Sequence, residues 1–326
     1  FFGAPPFKFL GAPPPPPPPF PRPPGLRVLT IDGGGVKGIA AIRILAEIEQ
    51  RVGRPLHDAF DLIVGTSAGA ITAAALGRGM SVSGCESLYR VIVRKAFSVA
   101  LQDTQDAAPA AAGAPSPLPK NPSPDPAAAG GGASWWGKLM QSGSSMKRVL
   151  LTGAKYDAAP LMQALSEGFG VAAQSPMVES SLSSGGCHVA IVASLCSTRP
   201  LRPFVFRTYQ HPPGSASLFP GSVRHQWLEA MRASSAAPYF FEEFSCHGER
   251  FQDGAIIANN PAVIGLHEAQ KMWPDRRVDV LVSVGTGKAP YERRDGKRTG
   301  GWSLIDTFGE IMVESAVSTD RLSEAL

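Results

Sequence analysis

The sequence predicts an α/β fold with a mainly parallel central sheet, because two strand-to-helix units follow one another near its start. Residues 27–31 are a short apolar run typical of a buried strand, and residues 38–52 repeat apolar side chains at helical spacing. A second strand is expected at 60–64 and a second helix at 68–76. This order places the two strands side by side and parallel, with a right-handed crossover between them.

The first helix has an apolar face that we expect to pack on the sheet. The apolar residues at positions i, i+3, i+4, i+7 and i+11 are Ala41, Ile44, Leu45, Ile48 and Val52. Such spacing places the five side chains on one side of a helix. The other side should face solvent.

Further elements are expected along the rest of the chain. A helix at 227–233 should stop near Pro238, because proline cannot continue a helix. Ile305, Phe308 and Met312 share one face of a helix near the end of the sequence. Additional strands are expected at 149–151, 188–193, 204–208 and 278–284.

Proline divides the chain into one domain and two low-complexity segments. Of the 31 prolines, 19 fall within 1–24 and 101–130. Residues 1–24 include an unbroken run at 13–19, which predicts a disordered polyproline II tail and offers a ligand to a proline-motif-reading partner. Residues 102–145 are rich in Ala, Pro and Gly and predict a disordered insertion. The remainder of 25–326 is expected to form one α/β domain.

Composition excludes several classes of protein. The net charge of +4 is too small to indicate a nucleic-acid partner, and no apolar run reaches the roughly 18 residues of a membrane span. Cys85, Cys187, Cys196 and Cys246 show no metal-binding spacing, which favours reduced thiols in an intracellular protein. Because the sequence begins at Phe1, an excised targeting segment stays open.

Two adjacent tryptophans allow two interpretations. Trp135 and Trp136 are followed by Lys138 and two aliphatic residues, a combination typical of segments that lie at a bilayer surface. Alternatively, the pair covers the domain core where the chain leaves the insertion.

A serine lies at the point where the second strand meets its helix. Gly65 and Gly69 flank Ser67 at two residues on each side, the G-x-S-x-G pattern of a nucleophile elbow. A tight turn that lifts a side chain above the sheet leaves no space for side chains at those two positions. An ordinary glycine-rich turn is the alternative, but the apolar strand before Ser67 and the small residues after it favour the elbow.

A glycine-rich loop follows the first strand. Gly33, Gly34, Gly35, Lys37 and Gly38 open the first helix, so backbone N–H groups there can converge on an oxyanion. The loop also satisfies the dinucleotide fingerprint, but a Rossmann nucleotide site needs an acidic residue after the next strand, where this chain has the serine motif. A phosphate-binding P-loop is excluded because Ile39 follows Gly38. The Lys37 side chain is expected to orient the loop through its carbonyls or to meet a lipid phosphate.

The serine needs a base, and Asp253 is the best candidate. It ends an apolar segment and precedes Gly254 and Ala255, although a plain Asp-Gly turn would have the same sequence. A Ser-Asp-His triad would use His267, which lies several turns into a helix that begins near Pro261, whereas catalytic histidines lie on loops. The sequence therefore favours a Ser/Asp dyad and keeps the triad as the alternative.

These motifs, in this order, resemble the patatin-like phospholipase family. The family's signatures are D-G-G-G-x-[RK]-G, G-x-S-x-G and D-G-[GA], matched here at 32–38, 65–69 and 253–255. Segments 88–90, 204–207, 232–238 and 259–261 look closest to the calcium-independent phospholipase A2 gamma type.

The resemblance implies a three-layer α/β/α fold and a lipid acyl hydrolase that needs no metal or cofactor. It implies Ser67 as nucleophile, Asp253 as base, and an oxyanion hole built from the glycine loop and Ala68. The implied substrate is a membrane phospholipid or another acyl glycerolipid, reached by an intracellular, peripherally membrane-associated protein. A lipid-binding module without catalysis is the remaining alternative.

Overall fold

The protein has a mixed, mainly parallel sheet between two layers of helices. A computed structural model describes residues 25–105, 154, 156–179 and 186–287, with the side chains of 97–105 excepted. The tail at 1–24, residues 106–145 of the insertion, the tryptophan pair, the strand expected at 149–151 and the helix expected around 305–312 lie outside these residues. The strands are β1 Leu26–Ile31, β2 Leu62–Thr66, β3 His188–Leu195, β4 Arg202–Arg207, β5 Gly221–Ser222, β6 Phe244–Cys246, β7 Glu249–Asp253 and β8 Val278–Val284.

The described helices lie between β1 and β8 in the sequence. They are α1 Gly38–Val52, α2 Leu56–Ala59, α3 Ala68–Gly77, α4 Val82–Gln105, α5 Ala159–Phe169, α6 Trp227–Ser234, α7 Ala255–Ala258 and α8 Ala262–Met272, with short 3-10 helices at Gly35–Lys37 and Gly170–Gln174.

The sheet order is β5-β4-β3-β2-β1-β8, and β7 pairs with both β3 and β6. Strands β8, β1, β2 and β3 run parallel, whereas β4 and β7 run antiparallel to β3. The parallel register places Val28 opposite Leu62 and Ile31 opposite Gly65. The glycine loop after β1 and the serine turn after β2 therefore lie at the same end of the sheet, where the carboxyl ends of parallel strands create a crevice.

Alternate residues of the strands fill two separate apolar cores. Leu29, Ile63 and Ile191 belong to the larger core, which lies under α1, α3, α4, α5 and α6. Val28 and Val64 belong to the smaller core, which α8 covers from the other side. Because a strand's side chains alternate between its two faces, this division confirms the three-layer α/β/α fold.

The predicted face of α1 is wrong at two positions. Ile44 and Val52 are 47% and 44% exposed, while Ile42 is fully buried. The helix packs on α3, α4 and β8, so its buried stripe runs through Ala41, Ile42 and Leu45 and is rotated from the stripe that spacing alone suggested.

The boundaries of β2 and α4 also differ from those predicted from the sequence. Strand β2 begins two residues later than expected and continues through Gly65 and Thr66, because its pairing with β1 starts only at Leu62. Helix α4 continues to Gln105 and so includes 102–105, which composition had assigned to the insertion.

The remaining sequence expectations concern cysteines and membrane spans. All four cysteines lie in the described part of the chain and form no disulfide. None of the described helices combines the length and hydropathy needed to cross a bilayer.

Candidate active site

Ser67 occupies a strained turn between β2 and α3. Its backbone has φ 54° and ψ −121°, a conformation that residues other than glycine rarely adopt. A Cβ on Gly65 would lie 2.3 Å from the carbonyl oxygen of Gly69, and a Cβ on Gly69 would lie 2.2 Å from that of Ile31. Both glycines are therefore needed for the turn to fit against its own helix and against β1.

Strand β7 brings Asp253 to this serine. β2 pairs with β3 as far as Thr66, which lies opposite Val192. β4 occupies the other edge of β3, so β7 must pair with β3 on the same edge as β2, beyond the point where β2 ends. In this pairing Asp253 lies opposite Ala193. The base thus follows directly where β2 ends, and the Ser67 hydroxyl donates a 2.7 Å hydrogen bond to Asp253 Oδ2.

The carboxyl group of Asp253 is 2% exposed. Burial raises its pKa from an ordinary 3.8 to about 7, while the hydrogen bonds from Ser67 and from the Ala255 N–H lower it. The Ala255 N–H reaches Oδ1 at 2.8 Å. A carboxyl with a pKa near neutrality can hold and release a proton under physiological conditions, as a general base must.

Gly254 and Ala255 have distinct local roles in this turn. A Cβ on Gly254 would lie 2.3 Å from the Val192 carbonyl oxygen, so only glycine lets β7 turn away this close to β3. The backbone of Ala255 orients the Asp253 carboxylate.

Two serines at the site were missed by the sequence reasoning. Ser234 accepts a 2.8 Å hydrogen bond from the Ser67 N–H and donates one of 2.6 Å to the Val192 carbonyl. Ser194 donates to the Asp253 carbonyl at 2.8 Å. Both are fully buried. A buried serine on a helix end or a strand has no local motif, so only the folded contacts reveal these two.

The glycine loop lies beside the elbow, but its members differ in what they can donate. The Gly33 N–H donates to the Asn259 carbonyl at 3.0 Å, and the Lys37 N–H donates to the Gly34 carbonyl at 3.0 Å. The Gly38 N–H donates to the Gly35 carbonyl. The N–H groups of Gly33, Lys37 and Gly38 are thus engaged by backbone carbonyls, contrary to the expectation that they point at an oxyanion. None of the described residues accepts a hydrogen bond from the N–H of Gly34, Gly35 or Ala68.

Lys37 contacts the loop through its backbone, whereas the sequence suggested a contact through its side chain. Its backbone N–H, and not its ammonium group, bonds a loop carbonyl. Within the described residues, no hydrogen bond or ion pair engages the ammonium group.

His267 takes no part in the site. Its Nε2 accepts a 3.1 Å hydrogen bond from the Leu218 N–H, and its ring packs on Phe219. All six histidines are described, and none bonds to Ser67 or Asp253. The structure therefore brings together the serine and aspartate of the predicted dyad without the histidine of the alternative triad.

The described residues also bear on metal binding. Within 25–105, 154, 156–179 and 186–287, no group of three or more His, Cys, Asp and Glu side chains is arranged to hold an ion.

The structure thus defines the class of α/β proteins in which a serine in a strained strand-to-helix turn is hydrogen-bonded to a buried carboxyl. Within that class the patatin-like phospholipase model matches residues 29–266. The chain belongs to the patatin-like phospholipase family, as the three motifs indicated.

Named relatives are similar over nearly the whole chain. Phospholipase A I of Arabidopsis thaliana is 37% identical over 93% of this chain. Calcium-independent phospholipase A2-gamma of Homo sapiens is 31% identical over 91%, and the cGAMP-activated phospholipase of Vibrio cholerae is 29% identical over 91%. The chain spans 23%, 32% and 74% of the lengths of these three relatives.

Proposed function

We propose that this protein is a lipid acyl hydrolase that cleaves fatty acyl esters of glycerophospholipids with a Ser67/Asp253 dyad. The observation that carries the proposal is the 2.7 Å hydrogen bond from the Ser67 hydroxyl to the buried carboxyl of Asp253. Family membership and relatives named as phospholipases support the substrate class.

In the acylation step, Ser67 Oγ attacks the ester carbonyl carbon and its proton passes to Asp253 Oδ2. The carbonyl oxygen gains the negative charge, which the N–H groups of Gly34, Gly35 and Ala68 stabilise. The tetrahedral intermediate then collapses. The C–O bond to the glycerol breaks, the lysolipid oxygen takes the proton from Asp253, and the acyl group stays on Ser67.

Water completes the reaction by the reverse sequence. Asp253 accepts a proton from water, the resulting hydroxide attacks the acyl carbonyl, and the same donors hold the second oxyanion. Collapse releases the fatty acid, and Ser67 Oγ takes its proton back from Asp253. The dyad is thus regenerated without a metal, a cofactor or a histidine.

Burial of the dyad explains how an aspartate can serve as the base. An exposed carboxylate with a pKa near 3.9 attracts a serine proton only weakly. Loss of hydration raises the pKa of Asp253 to about 7, which strengthens it as a proton acceptor while leaving a large ionised fraction at neutral pH.

The substrate lies in a bilayer, so we propose that the protein is peripherally membrane-associated and that it requires no calcium. The names of its calcium-independent relatives support the second point. An intracellular location and a proline-motif-reading partner for residues 13–19 stay proposals from the sequence.

Fatty acid release from phosphatidylcholine vesicles tests the proposal. We expect wild type to release fatty acid in excess chelator, and Ser67→Ala and Asp253→Asn to lose at least about 10²-fold of the rate. Ser87→Ala, which alters an exposed serine bonded within α4, is the matched control and should retain full activity. Release by Ser67→Ala at the wild-type rate would overturn the proposal.

A further inference from the structure

Three consecutive glycines form the proposed oxyanion loop, and glycine alone cannot hold such a loop in one conformation. Without Cβ atoms, Gly33, Gly34 and Gly35 allow the intervening peptide planes to rotate at little cost. Gly35 lies at φ 49°, and nothing lies within 4 Å of the position of its missing Cβ. The direction of the N–H donors must therefore be set by hydrogen bonds to the carbonyls of the loop peptides.

Each of the three glycine carbonyls accepts a hydrogen bond. The Thr286 hydroxyl donates to the Gly33 carbonyl at 3.1 Å. The Lys37 N–H bonds the Gly34 carbonyl. The Gly35 carbonyl accepts from the Tyr89 hydroxyl and from the Gly38 N–H. Of the three, the Gly33 carbonyl is the one held by a side chain alone.

A fixed carbonyl also fixes an N–H. In a trans peptide the C=O of one residue and the N–H of the next point in opposite directions within one plane. The bond from Thr286 to the Gly33 carbonyl therefore directs the Gly34 N–H away from Thr286. The bond from Tyr89 fixes the peptide between Gly35 and Val36, whose N–H is not among the proposed oxyanion donors.

The fold explains how two distant residues reach the loop. β1 pairs with β8 as far as Ile31 opposite Val284, and the Asp32 N–H still bonds the Val284 carbonyl at 3.0 Å. Thr286 follows two residues later and lies directly against the loop. A Cβ on Gly34 would lie 2.4 Å from Thr286 Oγ1.

Tyr89 reaches the loop from the opposite side, on α4. It is 4% exposed. A Cβ on Gly38 would lie 2.5 Å from its hydroxyl oxygen, so the last glycine of the motif provides the space for this side chain. Gly33, Gly34 and Gly35 thus leave the loop flexible, whereas Gly38 leaves room for the Tyr89 side chain that bonds to it.

We propose that Thr286 is a positioning residue that aims the Gly34 N–H at the oxyanion. This inference rests on the proposed hydrolase function. The Thr286 hydroxyl is not expected to touch substrate. It acts by preventing rotation of a peptide whose N–H must already point at the developing charge, because preorganised donors give most of their benefit only when no reorganisation is needed.

The test uses deletions of the Thr286 hydroxyl. Thr286→Val and Thr286→Ala each remove the hydroxyl, and Thr286→Ser keeps it without the methyl group. Thr208→Val is the matched control, because Thr208 is buried, bonds the backbone of Val189 and lies at the other end of β3. Steady-state hydrolysis of p-nitrophenyl butyrate gives kcat and KM, and thermal melting gives stability.

Thr286→Val and Thr286→Ala should each lower kcat by about tenfold with KM within twofold, a part of the roughly 10²- to 10³-fold cost of losing a donor outright. Thr286→Ser should keep at least half of kcat. Thr208→Val should lower the melting temperature without lowering kcat.

A trifluoromethyl ketone inhibitor adds a readout that a merely structural role would not change. Ser67 Oγ adds to its carbonyl carbon, the proton passes to Asp253, and the new alkoxide lies where the oxyanion forms. Its inhibition constant should rise in proportion to the loss of kcat/KM across the variants.

Specific outcomes would overturn the inference. Wild-type kcat in Thr286→Val and Thr286→Ala would do so, as would equal losses in Thr286→Ser and Thr286→Val. If Thr286→Val does not fold, Thr286→Ala decides alone. These outcomes differ from failure of the proposed function, in which wild type hydrolyses no ester or Ser67→Ala is as active as wild type.

Discussion

Replacing Asp253 with asparagine should abolish activity and yet stabilise the protein at alkaline pH. The amide oxygen of asparagine can still accept from the Ala255 N–H, and its NH₂ group can face Ser67. The hydrogen bonds of the site survive, whereas the buried charge does not. The variant therefore isolates the cost of keeping an ionised carboxyl under the elbow.

The magnitude follows from the pKa. The folded-state pKa of Asp253 is about 7 against an ordinary 3.8, so the folded protein binds this proton more tightly than the unfolded chain does. Stability from this group is highest below pH 3.8 and falls as pH rises to about 7. At about 1.36 kcal/mol per pKa unit, the charged form costs about 4 kcal/mol above pH 7.

Thermal melting of wild type and Asp253→Asn between pH 5 and pH 8.5 is the assay. At pH 8 the variant should melt about 10 °C higher, at about 2 to 4 °C per kcal/mol, and the difference should shrink as the pH falls. Asp275→Asn is the control, because it replaces an exposed aspartate in the turn after α8, and it should melt as wild type does. A variant that is less stable at every pH, or a difference that does not change with pH, would refute the reasoning.

The remaining predictions concern the triad, metals, the loop and the membrane. His267→Ala should retain more than about a tenth of the wild-type rate of ester hydrolysis, because loss of a true general base costs about 10²-fold or more; a loss equal to that of Ser67→Ala would restore the triad. Ester hydrolysis should survive EDTA and EGTA, and activity that is lost and then restored by calcium would contradict this. Gly35→Val should stay folded by circular dichroism and lose nearly all turnover, because a β-branched residue at φ 49° must shift the donors; full turnover would remove the loop from the mechanism. Joint replacement of Trp135 and Trp136 by Ala should weaken liposome sedimentation if they contact lipid, and unchanged sedimentation with a lower melting temperature would assign them to the core.

Much of the fold was readable because its signals are local. The apolar run of β1 and the apolar periodicity of α1 are each visible within a short stretch of sequence. The alternation of strands and helices then predicts the parallel sheet. The orientation of α1 was not readable. Ile42 is buried and Ile44 is exposed because α3 and α4 cover one side of the helix, and no local pattern contains the position of a neighbouring helix.

The same distinction applies to the site. Ser67 and Asp253 are flanked by glycines that the tight turns at these residues require, so the sequence alone identified both. Ser234, Thr286 and Tyr89 act through single hydroxyl groups on distant elements. Their roles depend on the β1–β8 register, on the end of α6 and on the packing of α4, which exist only in the folded chain.

Labelling with a fluorophosphonate probe, followed by mass mapping of the labelled peptide, tests the central claim most directly. The account predicts one adduct on Ser67 in wild type, labelling at least about 10²-fold slower in Asp253→Asn, and a near-normal rate in His267→Ala. An adduct on another residue, or His267→Ala slowed as much as Asp253→Asn, would contradict a Ser67/Asp253 dyad.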